Sequence, residues 1–153
     1  MTGGTRQMAQ AAAAGARGET ALEVSLRGAA EVDAAELLAA DGYIFATPEN
    51  LASMSGKMKD FFDRTYYAAL ERLNGRPYGV LVCAGSDGRN AAAQIERIAL
   101  GWRLRPIADA VIVCTHAQTP EAILREKLIP EPQLQRCAEL GATLAAGLVL
   151  GIF

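Results

Sequence analysis

No block of Lys and Arg runs through this sequence: 15 basic residues stand against 17 acidic ones, for a net charge of −2. A chain so balanced has no patch with which to neutralise a nucleic-acid backbone, so nucleic-acid binding is excluded as an expectation. Cysteine is scarce and odd in number. Cys83, Cys114 and Cys137 share no metal-ligand spacing, and the first two lie in strand-like apolar runs. They read as reduced core thiols, with neither a disulfide framework nor a metal site. Met1 is followed by Thr, Gly and Gly with no basic and apolar leader, and the longest terminal apolar stretch, Leu140 to Phe153, is too short to span a bilayer. The expectation is a cytoplasmic protein with no membrane partner. Aromatics make up only 6% of the residues and there is one histidine. His116 has no companion motif and reads as a solvated loop residue, which leaves no acid-base dyad to nominate.

What the chain does have is apolar bulk, 51% hydrophobic over 153 residues, enough for one core and one domain over residues 1–153. Apolar runs of strand length alternate with segments of helical period, the pattern of an α/β fold with a parallel sheet covered on both faces. Leu22 to Leu26 alternates and reads as a strand. Asp41 to Thr47, Tyr78 to Ala84 and Ala108 to Thr115 are nearly continuous apolar runs, as strands buried on both faces are. Helices are expected over Thr5 to Arg17, Met54 to Leu73, Ala91 to Trp102 and Leu134 to Leu148. The segment Thr119 to Pro132, with three prolines, reads as irregular. Asp33 is placed within a helix, Tyr66 and Tyr67 read as packing residues, and Asp63 and Arg64 read as a solvated helix face.

Ligands of open parallel sheets bind beyond the carboxyl ends of the strands, so the turns leaving those ends are where a site belongs. Three stand out. Thr2-Gly3-Gly4-Thr5 opens a helix with small residues and hydroxyls, a nest that suits a phosphate monoester, although such a string alone also suits a plain helix cap. Pro48-Glu49-Asn50-Leu51-Ala52-Ser53-Met54 joins a strand to the long helix, with Ser53 or Ser55 as its N-cap. Gly85-Ser86-Asp87-Gly88 is rich in residues that tolerate left-handed backbone and approach a flat ring closely. Each alone is an ordinary turn; their joint placement after strands marks them.

Thr2-Gly3-Gly4-Thr5-Arg6-Gln7-Met8-Ala9, together with Ala40 to Glu49 and Gly56 to Arg64, resembles the flavodoxin-like FMN proteins, in particular the NAD(P)H-dependent FMN and quinone reductases. The resemblance implies a three-layer flavodoxin-like sandwich of strand order 2-1-3-4-5, with strand one missing or truncated ahead of Thr2. It implies FMN as cofactor. Thr2, Gly3, Gly4 and Thr5 would hold the phosphate. Pro48, Glu49, Asn50, Leu51, Ala52, Ser53 and Met54 would flank the ring on one side, with Gly85, Ser86, Asp87 and Gly88 on the other. NADH or NADPH would be the electron donor and a quinone or similar small molecule the acceptor. No catalytic side chain is implied, since the ring carries the chemistry. The alternative is a non-catalytic electron carrier, which the near-neutral charge disfavours because such carriers dock through acidic surfaces. A receiver domain of similar topology would need clustered acidic residues at strand ends, and the sequence has none. Apolar helices permit a homo-oligomer.

Overall fold

The computed structural model describes residues 2–153. Its elements in chain order are α1 (Gly4–Ala16), α2 (Ala34–Ala39), β1 (Tyr43–Asn50), β2 (Ser53–Met54), α3 (Gly56–Ala69), β3 (Pro77–Ala84), α4 (Arg89–Gly101), β4 (Arg105–Pro106), β5 (Val111–Cys114), α5 (Pro120–Leu124) and α6 (Glu131–Val149). β1, β3 and β5 are parallel and lie in that order; β4 pairs the start of β3 on the same side that β5 pairs its end. β2 turns back antiparallel on the end of β1.

β3 is the axis of the sheet, and every one of its eight residues is buried. Because side chains alternate across a strand, Val80 and Val82 enter one core while Leu81 and Cys83 enter another. The first core packs α2, α3 and α4 against the sheet through Leu37, Phe45, Phe61, Phe62, Ile95 and Trp102. The second packs α1 and α6 through Met8, Ala12, Cys137 and Leu140. On that side the helices touch backbone to backbone: a Cβ added at Gly15 would fall 2.0 Å from the carbonyl oxygen of Ala138, and one at Gly141 would fall 1.9 Å from that of Ala12.

The expected helices are present with small changes of boundary, and the expected strands from Asp41, Tyr78 and Ala108 become β1, β3 and β5. The segment Thr119 to Pro132 is irregular apart from the five-residue α5 and the start of α6 at Glu131. Its start is capped by Thr119, whose hydroxyl accepts from the Ala122 N–H. Leu22 to Leu26, expected as a strand, is not one: it has no ladder and Leu26 is exposed. Alternation supplies a strand's side-chain pattern, but a strand exists only by pairing. In the expected order its partner would be strand one, expected as missing or truncated, at a place outside the described residues. Among the described residues nothing pairs with the outer edge of β1 over Tyr43 to Pro48.

Three local readings also change. Asp33 stands before α2 rather than within it, in a reciprocal capping box with Glu36. Arg64 donates to the carbonyls of Ala29 and Val32 besides pairing with Asp60, so it fastens the segment before α2 to α3 rather than only facing solvent. Tyr66 stacks on Trp102, whereas Tyr67 is exposed and packs little.

Candidate functional site

The carboxyl ends of β1 and β3 and the start of α1 meet at one end of the sheet. Pro48 of β1 is in register with Cys83 of β3, and a Cβ on Gly4 would fall 2.5 Å from the Cys83 sulfur. All three sequence-nominated segments therefore converge.

The Thr2 to Thr5 segment forms the entry to α1. Gly3 is left-handed (φ +82°), and the first intrahelical bond runs from the Gln7 N–H to the Gly3 carbonyl. The N–H groups of Gly4, Thr5 and Arg6 thus have no intrahelical partner, and no side chain caps them. Free donors at the positive end of a 13-residue helix make a candidate anion cradle. Its floor excludes side chains, since a Cβ on Gly4 would overlap Cys83. Burial pushes the Cys83 thiol up, against the opposing pull of Lys127 and of a bond with Thr5. Cys83 therefore stays a neutral packing group. The cradle is stitched to the following excursion: Lys127 N–H donates to Thr2 O at 2.8 Å, the Gln7 side chain donates to Lys127 O at 2.6 Å, and it accepts from Ile129 N–H at 3.1 Å.

The Pro48 to Met54 segment is a β-hairpin rather than a plain strand-to-helix turn. Glu49 opposes Met54 and Asn50 opposes Ser53, leaving Leu51 and Ala52 as a two-residue turn with φ of +50° and +59°. Such a turn normally takes Asn and Gly; a branched aliphatic residue there is strained. Leu51 is fully exposed at its tip. α4 holds the hairpin. Asn90 donates to the Ala52 carbonyl, and the Gln94 side-chain oxygen accepts from the Ser53 hydroxyl at 2.9 Å and the Met54 N–H at 3.1 Å. At the base, the buried Thr47 hydroxyl accepts from Ser55 N–H, and Ser55 caps α3 through Met58 N–H. Of the two serines considered, Ser55 is the cap.

The Gly85 to Gly88 turn sits beside this hairpin, and the Glu49 carboxylate accepts from Gly88 N–H at 2.9 Å. Gly88 is left-handed (φ +81°), and a Cβ there would fall 2.6 Å from Ile112. In the same turn Arg89 bonds Asp87 and holds its exposed carboxyl below the usual carboxylate range. The turn and the hairpin form two adjoining walls, joined by the bond between Glu49 and Gly88. No aromatic residue belongs to either. Asn90 and Gln94 were not anticipated from sequence; polar residues at i and i+4 on the helix that follows a glycine turn are the signal they carry.

Beyond β5 an open cleft of about 400 Å³ is lined by His116, Arg125, Glu126 and Leu128 among others. His116 is exposed with φ +53°. Among the described residues no group of His, Cys, Asp and Glu is placed to hold a metal ion, and no helix is long and apolar enough to cross a membrane.

Residues 29–118 match the sequence profile of the NADPH-dependent FMN reductases. An NAD(P)H dehydrogenase (quinone) of Acidithiobacillus ferrooxidans is 36% identical over 106 residues, covering 56% of this chain and 53% of its own. A flavodoxin of Aquifex aeolicus is 39% identical over 86 residues, covering 56% of this chain and 44% of its own. The chain thus spans about half the length of these curated relatives. Among solved structures, a flavodoxin from the domain Archaea superposes with a TM-score of 0.79 at 19% identity, over 97% of this chain and 93% of that one. The fold is flavodoxin-like.

Proposed function

The chain belongs to the NADPH-dependent FMN reductase family, and from that premise we propose that residues 1–153 form one FMN-binding domain of an NAD(P)H oxidoreductase reducing a quinone or similar small acceptor. The observation that carries the reading is the convergence of an anion cradle and two backbone-lined walls at one end of the sheet. The donor set fits the cofactor: the free N–H groups of Gly4, Thr5 and Arg6, with the hydroxyls of Thr2 and Thr5, suit a phosphate monoester. The hairpin from Pro48 to Met54 and the turn from Gly85 to Gly88 suit a flat ring, since glycine and exposed main chain allow close approach.

Bound flavin would accept a hydride from NADH or NADPH and pass electrons to the acceptor. The residues of this chain bind and orient. α1 fixes the phosphate end, α4 holds the hairpin wall through Asn90 and Gln94, and the aliphatic tip at Leu51 limits water at the rim. No side chain is required to move a proton. The working compartment is proposed to be the cytoplasm, where three free thiols remain reduced.

Titration with FMN and riboflavin tests the cradle. FMN binding at least tenfold tighter supports it, while equal affinities remove the phosphate role of Thr2 to Thr5. NADH and NADPH consumption by the loaded protein, with a quinone supplied, tests the activity. The likeness to the Aquifex flavodoxin favours a second reading, an electron carrier. That reading wins if reduced nicotinamide is untouched while a separate reductase reduces the flavin.

A further inference from the structure

The nominated loops carry two acidic side chains, and the structure treats them differently. Asp87 is matched by Arg89, with bonds at 2.6 and 3.2 Å, and the pair is exposed. Glu49 is half-buried, and among the described residues no cationic nitrogen forms an ion pair with it. Among the described residues its carboxylate has one hydrogen-bond partner, the N–H of Gly88, the residue immediately before α4. The bond joins the end of β1 to a glycine whose backbone Ile112 and Val82 already confine. The carboxylate is thereby held at the meeting line of the two walls as an unmatched negative charge.

We infer that Glu49 is a positioning residue that ties the two walls together and sets the reduction potential of the flavin held between them; this rests on the FMN reading above. A hydride from NAD(P)H carries two electrons and one proton to the ring and leaves the oxidised nicotinamide. The ring gains one net negative charge. A fixed carboxylate in a half-buried wall, screened less than a surface charge, opposes that gain. Reduction is less favourable in its presence, and onward transfer to an acceptor is more favourable.

Glu49→Gln keeps an oxygen that can accept from Gly88 N–H and drops the charge, whereas Glu49→Ala loses both. In FMN-loaded protein, the Gln variant should shift the reduction equilibrium about tenfold toward reduced flavin, about 30 mV for a two-electron couple. The Ala variant should shift the same way and also bind FMN more weakly. Equal potentials in the parent and the Gln variant overturn the potential-setting role. The tether is read without flavin, by amide exchange of Gly88: protection is retained in Gln and falls at least tenfold in Ala, and unchanged protection in Ala overturns it. If the parent binds no FMN, the functional reading fails together with the potential-setting role, while Gly88 exchange still decides the tether.

Discussion

The two faces of the sheet are packed on opposite principles. On one, bulk fills space: Trp102 is sealed by Phe61, Phe62 and Tyr66 at centroid distances of 5.2–6.4 Å within the cluster. On the other, backbones touch, because Gly15 and Gly141 let α1 and α6 close directly onto the carbonyls of Ala138 and Ala12. The first face fails by leaving a hole and the second by admitting an atom. Each face also carries part of the candidate site, since α4 holds the hairpin and α1 holds the cradle. A single residue can therefore disturb one half of the site through the packing beneath it.

The largest effect should come from the aromatic face. Trp102→Ala should cost about 3–5 kcal/mol in a urea melt, the range for deleting a fully buried aromatic. On the opposite face Gly141→Ala should cost about 1–3 kcal/mol, because the new methyl meets the Ala12 carbonyl and the helices must part. FMN affinity should fall with it, since α1 carries the cradle; a stable variant with unchanged affinity would uncouple face from site.

Alkaline titration sharpens the same contrast. Burial pushes the Cys137 thiol, between α1 and α6, up to about 11. Above the ordinary thiol pKa of about 8.5 the unfolded chain loses this proton while the folded one keeps it. Stability contributed by the buried thiol is thus full below about pH 8.5 and declines as pH rises toward 11. Cys137→Ala should flatten that decline in melts across the range. Gln94→Ala removes two bonds to the hairpin and should cost about 0.5–1.5 kcal/mol, with FMN affinity reduced several-fold. Smallest should be Lys59→Ala, about 0.3–0.5 kcal/mol from an exposed i,i+4 pair with Asp63 and no change in FMN affinity.

The parallel core was legible because β3 is buried on both faces, and burial of that kind leaves an unbroken apolar run in the sequence. The three loops were legible because they follow such runs or open a helix with glycine. The hairpin was not: its turn residues, Leu51 and Ala52, lack the Asn-Gly signal, and α4 holds them from 38 to 41 residues away. The same distance hid the tie between Glu49 and Gly88, although both residues were nominated. Leu22 to Leu26 shows the reverse error. Its alternation is local, while pairing is a property of a neighbour.

The protein's single tryptophan has a spectroscopic consequence. Trp102 donates its indole N–H to the Tyr66 carbonyl and stacks on that ring at 5.7 Å, wholly out of water. Its emission should be blue-shifted in the folded chain and should report the aromatic face alone. An event that unwinds α1 and α6 while the aromatic face stays packed would pass silently through a fluorescence melt and appear only in far-ultraviolet dichroism. Melting curves that coincide by both optical probes would therefore mean that the two halves come apart together.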